Sequence, residues 1–373
     1  MERCEQLYQF WLQDRANNTL LADLLSVLSA AKEFELLSRV FEQLEPISQE
    51  LPFVKLYKLQ TLMMQRDLDR AGALIEIYRQ EFIGNDSFTY LAAQNWFLQK
   101  NYTMVLSELG DKTLDSELYV QLAARCHYLQ CSYQTALQII ENFTLSQPEL
   151  SAATIGLYAA ALADSGNSKN AWDAAQQALA IDPCQVDALL ASAYLLIDQQ
   201  RYTEATFYIQ KGLEEAPSLG RFWSMLGQVK LVEGNLTAAD DALERSVLLM
   251  PDHVGTWLLK GWSNWLQNRL SQAEADFKNA LLLDRNFAES HAAIAAVLFK
   301  LDQRDAAELS LAKARRLNPS SITIVYVESL LAEADGQLEL AQAKLDALLT
   351  QPHYSGNGTY KDVLTHVIHQ QRQ

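Results

Sequence analysis

Alanine stands at Ala171, Ala205, Ala239, Ala273, Ala307 and Ala341, thirty-four residues apart with no insertion or deletion. A second mark keeps the same phase. Pro183, Pro217, Pro251 and Pro319 each follow their alanine by twelve positions, with Arg285 and His353 in the two remaining slots. A fixed period of this length builds a stacked array whose units pack on their neighbours, rather than a globule around one core.

Each period reads as two helices. The second half begins with a polar turn such as Gly166-Asn167 or Gly234-Asn235. It continues as an apolar stripe at helical spacing (Ala239, Leu243, Val247) and stops at the proline slot. The first half is helical too, and a small residue recurs in it at Ala159, Ala193, Gly227, Gly261, Ala295 and Ser329. Small side chains there let the two helices of a unit approach closely, with the alanine after the turn as the matching contact.

These marks resemble the tetratricopeptide-repeat (TPR) family. Its pattern is a bulky residue, a small residue, an aromatic, a turn, Ala, a bulky residue, Ala and Pro. Residues 254–287 carry Trp257, Gly261, Ala273, Phe277 and Ala280, although Asn264 stands where an aromatic is usual. Residues 220–253 carry Trp223, Gly227, Ala239, Leu243 and Pro251. The match runs through six units over 152–355, and 117–150 fits with a one-residue slip (Ala124, Ala136, Pro148). The resemblance implies an all-α, right-handed α-solenoid of stacked helix–turn–helix repeats.

Upstream the match fades but the helical rhythm persists. Residues 2–14 read as one helix, and 17–50, 52–84 and 85–116 as helix pairs around short polar breaks. The expected organisation is a degenerate, TPR-like region over 1–116, a TPR array over 117–355, and a C-terminal capping helix over 356–373. An open stack end exposes apolar surface, which a capping helix would cover.

The formal net charge is −16, spread along the chain. Such a field disfavours nucleic acid and anionic membranes, both of which need basic patches. The N-terminus lacks the apolar core of a signal peptide, and no stretch has the length to span a bilayer, so a cytoplasmic protein is expected. The four cysteines show no disulfide or metal pattern and read as small core residues.

No phosphate-binding glycine loop, nucleophile elbow, HExxH or paired CxxC occurs. No enzyme activity, cofactor or metal is expected. His366 and His369 share a face of the last helix without a third ligand. His291 and His127 occupy bulky core slots. In this architecture the first helices line the concave face, and helical spacing gives their inward stripe. The candidate groove is Leu190, Tyr194, Ile197, Leu258, Trp262, Trp265, Phe299, Tyr326 and Leu330, with Asp187, Asp198 and Glu289 at its rim. Lys, Arg and Asn, which clamp a partner's terminal carboxylate in one TPR class, are almost missing from the stripe; Arg221 and Arg125 are isolated exceptions. The expected partner is a protein or peptide with apolar anchors and basic residues, held by a non-enzymatic scaffold, adaptor or chaperone. Trp262 and Trp265 could instead pack between units. The alternative function is a regulatory sensor that binds a small peptide or metabolite and changes affinity for another protein.

Overall fold

The computed structural model describes residues 2–351, Thr359 and Lys361. The fold is an all-α solenoid. Two compact units divide between Leu150 and Ser151. The first contains α1 (Glu2–Gln13), α2 (Asn18–Ala31), α3 (Phe34–Gln43), the short α4 (Pro46–Gln49), α5 (Pro52–Met64) and α6 (Leu68–Tyr78). It continues with α7 (Asp86–Leu98), α8 (Tyr102–Leu109), α9 (Glu117–Leu129) and α10 (Tyr133–Thr144). The second contains six hairpins: α11 (Ala152–Asp164) with α12 (Ser168–Ile181), α13 (Val186–Asp198) with α14 (Tyr202–Glu215), and α15 (Gly220–Val232) with α16 (Leu236–Leu249). Then come α17 (Val254–Leu266) with α18 (Leu270–Leu283), α19 (Ala288–Lys300) with α20 (Arg304–Leu317), and α21 (Ile322–Ala334) with α22 (Leu338–Leu349). Residues 117–150 group with the upstream hairpins, because α9 packs on α7 and α8. The capping helix expected over 356–373, with His366 and His369, lies outside the described residues apart from Thr359 and Lys361. Among the described residues no helix is long and apolar enough to cross a membrane.

One backbone device makes every hairpin turn. A residue with left-handed φ ends the first helix at Lys32, Arg66, Lys100, Cys131, Gly166, Gln200, Gly234, Asn268, Asp302 and Gly336. Its N–H and that of the next residue return to the carbonyls of the helix just ended. At Gly166, for example, Gly166 N–H donates to Ala163 O (3.1 Å) and Asn167 N–H to Leu162 O (2.9 Å). The same pair of bonds recurs at Lys32 and Glu33 (to Ser29 and Leu28) and at Asp302 and Gln303 (to Phe299 and Leu298). This helix-ending motif satisfies carbonyls that would otherwise be orphaned. Lys32, Arg66 and Lys100 are themselves thirty-four residues apart, so the period of the array is present in the backbone of the first unit.

The periodic alanines are buried. Ala171, Ala205, Ala239, Ala273 and Ala307 are fully shielded, and Ala341 nearly so. The facing small residues leave room for large neighbours: a Cβ on Gly261 would lie 2.3 Å from the Phe277 ring. Of the cysteines, Cys4 and Cys126 are buried, and burial pushes the Cys126 thiol up to about 12. Cys131 departs from the core reading; it is exposed in a turn.

Candidate functional site

In the second unit, successive first helices touch: α11 with α13, α13 with α15, α15 with α17, α17 with α19 and α19 with α21. No contact of similar extent joins successive second helices. The first helices therefore lie on the tighter, inner side of the stack.

Two side-chain contacts skip a helix on that side. Arg221 at the start of α15 places Nη2 and Nη1 2.9 and 3.1 Å from the Asp164 carboxylate at the end of α11, past α13. Trp265 on α17 and Tyr326 on α21 meet over α19, where Trp265 opposes the rise that burial gives the Tyr326 hydroxyl pKa. The alanines of α19 make the second contact possible. Ala292, Ala295 and Ala296 form a buried cluster against which Trp262, Trp265 and Tyr326 all pack. Trp262 also meets Trp265 and Phe277 edge-on, at ring-centroid distances of 6.1 and 5.1 Å.

The structure sorts the expected groove residues into two sets. Leu190, Ile197 and Leu258 are buried at 3%, 5% and 9% exposure, inside clusters that join neighbouring units. They offer a ligand no surface, because a first helix packed on both sides keeps only a narrow free strip. Tyr194 lies on that strip at 38% exposure. Burial of its ring, with Asp198 and Asp164 nearby, raises the hydroxyl pKa, and Arg221 opposes the shift. Trp262, Trp265, Phe299, Tyr326 and Leu330 are half-buried, as are the rim acids Asp187, Asp198 and Glu289. Trp262 and Trp265 thus pack between units while keeping part of their surface open. Asp187 is not a bare charge, since Gln185 Nε2 donates to its carboxylate at 3.3 Å.

Asn264, in the slot usual for an aromatic, is buried and donates to the buried Asp276 carboxylate at 2.7 Å. Lys260 pairs with Glu244 and lies 3.9 Å from Asp276. Burial raises the Asp276 pKa, while Asn264 and Lys260 draw it back. Sequence reading noted the odd asparagine but not its partner, which is one turn beyond Ala273. Among the described residues, no group of three or more His, Cys, Asp or Glu side chains is placed to hold a metal ion.

No family model and no curated protein sequence matches the chain. Solved structures do. A chain of the APC/C hetero-tetramer Cut9-Hcn1 superposes with a TM-score of 0.64 at 17% identity, over 98% of this chain and 72% of that one. The chain has the tetratricopeptide-repeat fold. Weaker likenesses are to PilF of Pseudomonas aeruginosa (TM-score 0.48, 20% identity, 60% of this chain and 98% of that one) and to YrrB. The YrrB structure, described as a TPR protein with an unusual peptide-binding site, has a TM-score of 0.40 at 19% identity, over 51% of this chain and 97% of that one.

Proposed function

We propose that this TPR chain is a non-enzymatic scaffold that holds a peptide segment of a protein partner along the inner face of its first helices. The observation that carries the reading is the row of half-open aromatic surface there: Tyr194, Trp262, Trp265, Phe299 and Tyr326, with Leu330 beside it. Aromatic side chains that enter an interface already fixed in place lose little entropy and supply most of the binding energy. Trp262, Trp265 and Tyr326 meet that condition through their packing on the α19 alanines. Asp187, Asp198 and Glu289 favour Lys or Arg on the segment, as does a net charge of −16. The Cut9-Hcn1 structure, a subunit assembly by its own description, is consistent with such a role.

The test is selection of binders from a random-peptide display library. The expected peptides combine large apolar side chains with Lys or Arg. The double variant Trp262→Ala/Trp265→Ala should weaken them by roughly 1–3 kcal/mol, with helicity retained by circular dichroism. Selected peptides that bind the double variant as tightly as the wild type would overturn the reading.

A further inference from the structure

The second helices splay apart on the outer side of the stack, and one of the gaps differs from its neighbours. Between α18 and α20 lies an open cleft of about 740 Å³. Its apolar floor is Leu281, Leu282 and Leu317, and every ionisable side chain lining it is basic. Lys278, Arg285, Lys313 and Arg316 surround the floor in a chain of net charge −16. Lys278 is paired with Glu274 one turn earlier on its own helix. Among the described residues Arg285, Lys313 and Arg316 take part in no ion pair.

The periodicity supplies an internal control. One unit earlier, the positions of Lys278, Arg285, Lys313 and Arg316 are held by Glu244, Pro251, Asn279 and Leu282. The basic lining is therefore not a demand of the fold. Arg316 lies in the last turn of α20 and also complements that helix C-terminus, whereas α14, α16 and α18 all end without a basic residue in the last turn.

One side chain lining the cleft breaks a series. Trp223 and Trp257 hold the matching positions, each donating Nε1–H to the carbonyl six residues earlier, at Pro217 and Pro251 (2.8 Å in both). Over Trp223 lies the guanidinium of Arg245, 4.5 Å from the ring centroid. His291 is the next member of this series. Its Nε2 makes the same bond, to Arg285 O at 2.9 Å, with a smaller ring. Space is left where an indole would stand, and Lys313, the counterpart of Arg245, has no indole beneath it.

We infer that the α18–α20 cleft is a second binding site, for an acidic peptide segment of a partner protein that inserts an apolar side chain over Leu281, Leu282 and Leu317 and sets its carboxylates against Arg285, Lys313 and Arg316. The volume falls in the range of small-ligand and side-chain pockets. The cations are partly exposed, so their contribution is to selectivity and to rate of encounter, and it is screened by salt.

The test uses fluorescence anisotropy with the labelled peptide Glu-Glu-Leu-Phe-Asp-Glu and its counterpart Gln-Gln-Leu-Phe-Asn-Gln. The wild type should bind the acidic peptide saturably and the neutral one at least tenfold more weakly, with the difference shrinking as salt rises. Lys313→Gln/Arg316→Gln should weaken the acidic peptide about tenfold. His291→Trp, which restores the indole of the two preceding units and narrows the cleft without removing a charge, should also weaken it, with folding checked by circular dichroism. Trp262→Ala/Trp265→Ala should leave this binding unchanged, which separates it from the inner-face reading. The inference is overturned by equal affinity for the two peptides, by binding indifferent to both cleft variants, or by absence of saturable binding. It is overturned equally if phosphatidylserine vesicles, and not the peptide, are bound through Lys313 and Arg316.

Discussion

The Arg221 guanidinium grips the Asp164 carboxylate with two hydrogen bonds across fifty-seven residues of chain, passing over the helix between them. Nearest-neighbour packing is the rule in a repeat array, so this pair adds a coupling the repeat itself does not provide. The carboxylate side chain is 15% exposed and the guanidinium 31%. Bidentate geometry and partial burial place the pair above an ordinary surface ion pair. A double-mutant cycle on Asp164→Asn and Arg221→Gln should give a coupling of about 1 kcal/mol by urea unfolding, smaller in high salt. A coupling near zero at low salt would mean that the contact adds nothing to cohesion between alternate units.

Asp276 should tie stability to pH. Its pKa in the folded chain is raised, chiefly by burial. The folded state therefore holds the proton more tightly than the unfolded chain, whose value is near 3.9. The stability this contributes is complete below that value and is lost as pH rises through the folded pKa. Asp276→Asn should flatten that decline and leave the protein at least as stable at pH 7, read by thermal melts from pH 3.5 to 7. Asn264→Leu should do the reverse, costing about 1–3 kcal/mol at pH 7 by stranding the carboxylate.

Trp96 on α7 occupies the place in its hairpin that Asn264 holds in its own, and the residue just before it is Asn95. Asn95 is fully buried, and neither its Nδ2 nor its Oδ1 has a hydrogen-bond partner. The acid one turn along α8, Glu108, instead takes Arg79 at 2.9 and 3.1 Å. Asn95→Leu removes two unpaired polar atoms at nearly constant volume and should stabilise the first unit by ~1–2 kcal/mol. A lower melting temperature in the variant would show that the amide has a role the packing does not reveal.

The turn residues give a paired prediction. Lys100 has φ +61° and Gly234 φ +74°. An L side chain there costs roughly 1–2 kcal/mol, offset in part by the greater backbone freedom of glycine in the unfolded chain. Lys100→Gly should therefore raise stability by up to about 1 kcal/mol, and Gly234→Ala should lower it by about the same amount. Opposite signs in denaturant unfolding are the required outcome.

The array was legible in the sequence wherever packing forces one residue type into one slot. The alanines of the second helices and the small residues opposite them are such slots. The turns were legible as polar breaks, at Gly166-Asn167 and Gly234-Asn235 for example, but their left-handed residue was not, because its constraint is a backbone angle that Lys, Arg, Gln, Asn, Asp, Cys and Gly all meet. For that reason the regularity of Lys32, Arg66 and Lys100 is invisible in residue identity. The inner face was half legible. Helical spacing found Tyr194, Trp262, Trp265 and Tyr326, but it also swept in Leu190, Ile197 and Leu258. A helix flanked on both sides has two buried edges, and one period cannot tell an edge from the strip between them. The hydrogen bonds of Trp223, Trp257 and His291 could have been suspected from their common spacing to the proline slot, which Arg285 keeps as a carbonyl acceptor though not as a proline.

Packing that joins the first helices and leaves the second helices apart gives the stack mechanical asymmetry. One side is a continuous row of touching cylinders and the other a row of gaps. Flexing the stack about the touching side changes the width of those gaps without breaking a contact between second helices, so that side is the compliant one. Each second helix also packs on the first helix of the next unit, so neighbouring hairpins are joined on both sides of the inner row. Onto this regular packing of the second unit the Arg221–Asp164 pair adds one tie between hairpins that are not neighbours.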